Sequence, residues 1–184
     1  MIKNALSILT TESTWDDLLL TKKAFKQVKA ISTQFKNNAT EKINRKLVNK
    51  ISPSSPVLFY GSQAKEQINT AVLISKTINK PAYSIDLSRL VSKYIGETEK
   101  NLNVLFDTAE KKDWILFFDE ADALFGKRTD VKDSHDKYAN QEVSYLLKRI
   151  EDYIGLVILA TNVKGNMDEA FTRRFNLVLR FHSR

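Results

Sequence analysis

Residues 115–122 of this chain read ILFFDEAD, an apolar run that ends in two adjacent carboxylates, Asp119 and Glu120. A short and continuously apolar run of this kind is typical of a strand that is buried on both faces. Two carboxylates at the end of such a strand repel each other unless a cation or a water-activating role compensates their charge. The stretch therefore predicts a buried strand whose terminus carries a chemical function.

Strand and helix patterns alternate on both sides of this run. Apolar strands are predicted near residues 57–60, 82–87, 114–118, 155–161 and 177–181, with helices near 66–79, 97–111, 136–152 and 167–174. Such alternation favours an α/β fold in which right-handed crossovers build a parallel sheet that is covered by helices on both faces. Ligands of these sheets bind beyond the carboxyl ends of the strands. The residues that directly follow each strand are therefore the candidates for a functional site.

The first predicted strand leads into residues 61–68, which read GSQAKEQI. A phosphate-binding loop of the form G-x-x-x-x-G-K-[ST] wraps backbone N–H groups around a phosphate, reaches the outer phosphates with its lysine and holds Mg²⁺ with its hydroxyl. Only Gly61 matches this pattern, because Glu66, Gln67 and Ile68 occupy the positions of the second glycine, the lysine and the hydroxyl. Taken alone, the segment is simply a strand, a turn and a helix.

Four other residues bear on a phosphate site at these strand ends. Lys65 lies two positions before the lysine of the pattern and could swing in to recover part of the lost phosphate contact. Asp119 is suited to bind Mg²⁺ through water, and Glu120 is suited to polarise an attacking water. Asn162 follows the fourth strand, where its amide either orients the same water or serves only a turn.

Two further segments have both a functional and a structural interpretation. Arg173 and Arg174 lie at a predicted helix end, where they either complement the helix dipole or reach the γ-phosphate of a neighbouring subunit. Tyr94, Ile95 and Gly96 form an aromatic, aliphatic and glycine triplet in a loop after the second strand. This triplet either packs under the domain or is exposed for contact with a partner.

Composition sets the class of protein. With 184 residues and 42% apolar content, the chain is long enough to bury the core of one globular domain. It has no cysteine and two histidines, which excludes disulfides and thiolate metal sites and argues against a histidine metal cluster. Because no apolar run approaches the roughly 20 residues of a membrane span and no secretory signal is evident, we expect a cytoplasmic protein.

The net charge of +7 is concentrated near the N-terminus. Residues 21–50 contain nine Lys or Arg and a single acidic residue, Glu41, so they carry +8 and the rest of the chain sums to −1. A basic stretch of this density suits nucleic acid or an acidic partner. The interpretation that we favour is the solvated face of a helix, with Leu18, Leu19, Leu20, Phe25, Val28, Ile31 and Phe35 turned inward.

Taken together, these motifs resemble those of the AAA+ ATPase family over about residues 15–181. The resemblance rests on residues 115–122 as Walker B, Asn162 as sensor 1, Arg173 and Arg174 as arginine fingers, and Tyr94, Ile95 and Gly96 as a pore loop. It implies ATP and Mg²⁺ as cofactors, with Asp119 as the metal-binding residue. The residues implied to contact the nucleotide are Gly61, Lys65, Gln67, Ile68 and Asp119, and those implied to act in catalysis are Glu120, Asn162, Arg173 and Arg174.

The resemblance also implies an architecture and an assembly. It implies a P-loop NTPase-like, five-stranded parallel sheet in the order 5-1-4-3-2, sandwiched by helices and preceded by an N-terminal helical segment. It divides the chain into two parts. Residues 1–50 form a tail and a helical segment, and residues 51–184 form the large α/β ATPase subdomain. Ring assembly, commonly as a hexamer, would bring nucleotide to the subunit interfaces and a polypeptide substrate to Tyr94 and Ile95 in a central pore.

Within the family, residues 131–143 resemble a bacterial subgroup, some members of which are encoded beside phage-tail-like contractile injection systems. Two departures from the family pattern stand out. Walker A is degenerate, and the sequence ends at Arg184 where the family continues into a helical lid that carries sensor 2. The absent lid and the altered phosphate loop both bear on whether nucleotide is held.

Three functions are compatible with these features. The first is a degenerate AAA+ subunit that completes a ring but binds ATP poorly. The second is a working ATPase with an unorthodox phosphate loop that uses Lys65. The third is a basic module that binds nucleic acid through residues 21–50.

Overall fold

The computed structural model describes residues 2–41, 56–90, 96–121, 134–162, 173–175 and 177–181. Within these residues the strands are β1 (Leu6–Ile8), β2 (Val57–Tyr60), β3 (Ala82–Ile85), β4 (Ile115–Phe118), β5 (Val157–Thr161) and β6 (Leu177–Arg180). The helices are α1 (Lys22–Glu41), α2 (Ala64–Ile78), α3 (Glu97–Lys112) and α4 (Ser134–Asp152). Short 3₁₀ helices occupy Ile2–Ala5, Trp15–Asp17 and Leu87–Arg89.

The six described strands form one sheet in the order β1-β3-β4-β5-β2-β6. The neighbouring pairs β3–β4, β4–β5, β5–β2 and β2–β6 are all parallel. Five strands therefore form the parallel α/β sheet that the sequence predicts. Read from β6, these five strands follow the predicted order. The observed sheet differs from the predicted one by the added strand β1.

Strand β1 extends the sheet beyond β3 and runs antiparallel to it. Backbone hydrogen bonds continue the pairing on both sides, since Leu9 N–H donates to Ala82 O (2.9 Å) and Asp86 N–H donates to Ala5 O (2.9 Å). The sequence predicted a tail and a helical segment in residues 1–50, without a strand at residues 6–8. Three residues are too few to show strand alternation, so only the pairing partner reveals this strand.

The sheet is buried on both faces, as the run at residues 115–122 predicts. Phe117 and Phe118 are adjacent in β4 and point to opposite faces, so each belongs to a different core layer. Phe118 packs in the layer that α3 and α4 cover, beside Phe106 and Tyr153. Phe117 packs in the layer that α1 and α2 cover. The central strand thus contributes to two cores at once, which explains its continuous apolar sequence.

Helix α1 buries one face against α2 and the sheet. Val28, Ile31 and Phe35 are buried there, as expected from their helical spacing. Two residues that were predicted to turn inward do not, because Leu19 is 52% exposed and Phe25 is 42% exposed. Among the described helices, none is long and apolar enough to cross a membrane.

Candidate functional site

The carboxyl ends of three adjacent parallel strands lie side by side, and this side of the sheet is called its carboxyl edge below. Gly61 follows β2, Asp119 follows β4, and Asn162 follows β5, which lies between the other two. Backbone hydrogen bonds join these ends, since Gly61 N–H donates to Thr161 O (3.0 Å) and Ala121 N–H donates to Ala160 O (2.8 Å). The structure therefore brings together the strand-end residues that the sequence selected.

The acidic pair lies exposed at this edge. Asp119 and Glu120 both have solvent-accessible side chains, and Asp119 Oδ1 accepts a hydrogen bond from the Glu120 backbone N–H (2.9 Å). Glu120 adopts a left-handed backbone with φ of +51°, which is uncommon for a residue other than glycine. Asn162 is also exposed. Among the residues that the structure describes, no group of three or more His, Cys, Asp or Glu side chains could hold a metal ion.

Helix α2 begins inside the segment that aligns with a phosphate loop. The sequence predicted a helix from residue 66, but α2 starts at Ala64, so only Gly61, Ser62 and Gln63 remain between strand and helix. The backbone N–H of Gln67, at the lysine position, donates to Gln63 O (3.1 Å) within the helix. Without a second glycine, the chain closes the first helical turn instead of extending a loop.

Gln67 turns its side chain inward and joins the ends of β2 and β5. It is only 1% exposed, and its Nε2 donates to Gly61 O (2.9 Å) and, over a longer distance, to Thr161 O (3.5 Å). A lysine at this position of a phosphate loop reaches outward to the phosphates. The amide here instead satisfies buried backbone carbonyls, which sequence alone does not reveal because glutamine also suits an exposed helix.

Glu66, at the position of the second glycine, contacts the segment that precedes α1. Its Oε2 accepts a hydrogen bond from the Leu19 N–H (3.2 Å). The same segment contacts α2 again one turn later, where Thr11 Oγ1 donates to Asn69 Oδ1 (2.8 Å) and Asn69 Nδ2 donates to Ser13 Oγ (3.2 Å). The first turns of α2 therefore bind a neighbouring part of the chain through their side chains.

The remaining two phosphate-loop candidates also lie on α2. Lys65 is exposed in the first turn of the helix. Ile68 is partly buried and packs against the core layer that contains α1 and α2. An isoleucine in this position contributes to the core and offers no oxygen to a metal ion.

The two arginines lie at the amino edge of the sheet, the side where the parallel strands begin. They precede β6, whose first residue Leu177 pairs with Val57 at the amino end of β2, whereas Gly61 follows the carboxyl end. At about 3.3 Å per residue, the length of β2 separates the two edges by roughly 13 Å. Both arginines are exposed, and Arg174 Nη1 forms an ion pair with Glu151 Oε1 (2.9 Å). An arginine at that edge is better placed to reach a neighbouring molecule than the site of its own chain.

The pore-loop prediction falls largely outside the described residues. Tyr94 and Ile95 lie there, whereas Gly96 is described and directly precedes α3. Gly96 has a φ of +81°, a conformation that glycine adopts without strain.

Comparison with known proteins places the chain in a family. The sequence profile of the ATPase family associated with various cellular activities (AAA) matches residues 57–183. The chain belongs to the AAA family. This match covers the five parallel strands and the strand-end residues described above.

Individual AAA proteins that this chain resembles are considerably longer than it is. It is 35% identical over 129 residues to an uncharacterized AAA family ATPase, y4kL, of Sinorhizobium fredii, covering 69% of this chain and 38% of that protein. It is 30% identical over 177 residues to vacuolar protein sorting-associated protein 4 of Dictyostelium discoideum, covering 92% of this chain and 38% of that protein. The chain thus spans well under half the length of these relatives.

A solved AAA domain has the same fold. The crystal structure of the FIGL-1 AAA domain superimposes with a TM-score of 0.70 at 26% identity, covering 98% of this chain and 59% of that chain. The α/β sheet with its flanking helices is therefore the AAA domain fold.

The inward-turned Gln67 is predicted to stabilise this AAA domain. We expect Gln67→Ala to lower the free energy of unfolding by about 1–3 kcal/mol, because Gly61 O and Thr161 O lose a buried donor. Chemical denaturation with urea measures the change. Gln63→Ala is the matched control, since Gln63 precedes the same helix without a side-chain capping bond. Its effect is expected to stay within about 0.5 kcal/mol, and equal losses in both variants would contradict a specific role for Gln67.

Proposed function

We propose that this chain is an AAA subunit that binds ATP–Mg²⁺ weakly or not at all and completes a ring whose other sites are competent. The observation that carries this proposal is the side chain of Gln67, which lies buried and donates to two backbone carbonyls where a phosphate-binding lysine would extend outward. Its amide is uncharged and already committed to the fold.

The other residues of the phosphate loop support the same conclusion. Five of the eight aligned positions, residues 64–68, lie within α2, so only residues 61–63 remain as a loop that could wrap around a phosphate. Glu66 adds a carboxylate to the helix terminus that would face the anion. Ile68 replaces the hydroxyl that would hold Mg²⁺. These residues do not fit a metal-bound triphosphate.

The opposite edge of the sheet supports a role in an assembly. Arg173 and Arg174 are exposed there, away from the phosphate loop of the same chain. We propose that they act on nucleotide held by a neighbouring subunit, a contribution that does not require this chain to bind ATP itself. A hexameric ring and a polypeptide substrate at Tyr94, Ile95 and Gly96 are parts of the same proposal.

Other features remain predictions of this proposal. Membership of a bacterial subgroup near injection systems rests on residues 131–143, of which residues 131–133 lie outside the described part. A cytoplasmic location is a prediction from the sequence. The class of activity that we propose is the remodelling of proteins; the Dictyostelium relative is named for an association with vacuolar protein sorting.

The competing function is an active ATPase that uses Lys65. The observation in favour of this function is that the side chain of Lys65 is exposed at the start of α2. The two functions differ in what the isolated chain does with ATP.

Calorimetric titration with ATP–Mg²⁺ and a steady-state ATPase assay test the proposal. We expect a Kd weaker than about 1 mM, since a loss of roughly a thousandfold moves an affinity of about 1 μM into the millimolar range. We also expect phosphate release to equal the buffer background, and Glu120→Gln to leave it unchanged.

The same two measurements identify the competing function. Micromolar affinity with turnover that Glu120→Gln abolishes would establish an active ATPase and overturn the proposal. Lys65→Ala is the companion variant, because it lowers nucleotide affinity only if that lysine holds phosphate. Circular dichroism of each variant verifies that the fold is retained.

A further inference from the structure

The exposed face of α1 carries a straight stripe of lysines. Lys22, Lys26, Lys29 and Lys36 are all exposed and are separated by four, three and seven residues. At about 100° per residue, these spacings place all four within about 80° around the helix axis. At 1.5 Å per residue, they extend over about 21 Å. These four residues lie on one side of the helix and are referred to below as the lysine stripe.

No acidic residue of α1 lies within the lysine stripe. The only acidic residue of α1 is the last one, Glu41, and the buried face with Val28, Ile31 and Phe35 lies nearly opposite the lysines. The sequence of residues 21–50 carries +8, whereas the remainder of the chain sums to −1. A local field of this sign attracts polyanions.

An exposed aromatic ring lies beside the lysine stripe. Phe25 follows Lys22 by three residues and precedes Lys29 by four, so it neighbours both on the helix surface. The ring is 42% exposed, and Trp15 holds it in an edge-to-face contact with 5.8 Å between the ring centroids. The sequence had placed Phe25 inside, which left the lysines without an aromatic neighbour.

We propose that this lysine stripe, together with Phe25, binds single-stranded nucleic acid. Lysines along a groove or ridge track the phosphate backbone of a single strand, and an exposed aromatic ring provides a surface on which a base can stack. This activity is independent of whether the chain binds ATP.

Two other polyanions fit this surface less well. An amphipathic helix binds an anionic membrane by inserting its apolar face, but here Val28, Ile31 and Phe35 are buried against the rest of the domain. An acidic protein would match the charge but gives no role to the exposed ring of Phe25. Both serve as competitors in the experiment.

Fluorescence anisotropy with a labelled 15-nucleotide oligo(dT), titrated from 20 to 150 mM NaCl, measures the binding. Four phosphate contacts on a single strand predict a slope of log K against log salt of about −3. Lys26→Glu with Lys29→Glu is expected to lower the affinity at least tenfold and to reduce the slope to about half. Phe25→Ala is expected to lower the affinity about tenfold without changing the slope, because stacking releases no counterions.

The matched control is Lys100→Glu with Lys111→Glu. These two exposed lysines lie on α3, which covers the opposite face of the sheet, and their replacement changes the net charge equally. We expect the control to bind within about threefold of the unmodified chain. Absence of binding at 20 mM NaCl, or equal losses in the two double variants, would overturn the proposal. Equal or stronger binding of polyglutamate or of phosphatidylserine vesicles would overturn it as well.

Discussion

Gly61→Ala is expected to destabilise the domain by about 3–5 kcal/mol. A Cβ at this position would lie 1.9 Å from the backbone oxygen of Phe181, and the φ of +135° is strained for any residue with a side chain. Phe181 cannot withdraw easily, because its N–H donates to Tyr60 O (2.8 Å) and its ring packs against Phe59. The estimate combines overpacking of about 1–3 kcal/mol with backbone strain of similar size.

Urea or thermal denaturation measures this effect, and Gly96→Ala is the matched control. Gly96 also has a positive φ, of +81°, but a Cβ there would meet no atom within 4 Å. Its cost is therefore limited to backbone strain, at about 1–2 kcal/mol. Similar destabilisation by both variants would show that the approach of Phe181 is unimportant.

The requirement for glycine at position 61 also bears on function. Phe181, directly after β6, approaches Gly61 so closely that a side chain would not fit, and this requirement for glycine does not involve a phosphate. The match of Gly61 to a phosphate loop therefore does not support ATP binding.

Restoring the phosphate loop is expected to raise the affinity for ATP–Mg²⁺ by about a thousandfold. The variant combines Glu66→Gly, Gln67→Lys and Ile68→Thr. A lysine in charge-assisted contact with phosphate contributes about 1.5–3 kcal/mol. Removing a carboxylate near 4 Å from a phosphate relieves up to about 4 kcal/mol at an effective dielectric near 20. Glu66 already turns toward Leu19, so the relief is smaller than this upper figure.

Isothermal titration of the restored and unmodified chains measures this gain. Glu66→Gly alone is the control, because it removes the carboxylate without supplying the lysine, and we expect it to recover less than half of the gain in free energy. Adding Glu120→Gln to the restored chain is expected to leave binding intact and to abolish any turnover. A restored chain that folds but gains no affinity would show that the loss extends beyond the phosphate loop.

Much of the fold was predictable from local sequence patterns. The β4 run at residues 115–118 is apolar at every position because it contributes to two core layers, and such continuous burial is visible in sequence. The parallel strand order followed from the family resemblance. β1 was not predictable, because its three residues form a strand only through pairing with β3.

The candidate site was predictable in position but not in detail. Alternating strands and helices bring Gly61, Asp119 and Asn162 to the same edge in any parallel sheet of this order. The direction of the Gln67 side chain depends on two carbonyls that lie 6 and 94 residues away in sequence. The exposure of Phe25 likewise depends on how α1 rests on α2 and the sheet, which a helical spacing alone does not determine.

The sequence by itself determined the α/β alternation, the acidic strand end and the replacement of Glu66, Gln67 and Ile68, because these depend on residue type and spacing along the chain. Only the tertiary structure decided that α2 starts at Ala64, that Gln67 joins two strand ends, and that Arg173 and Arg174 lie at the opposite edge. Each of these results depends on contacts between distant segments, whose geometry is set by packing and hydrogen bonding in the folded domain.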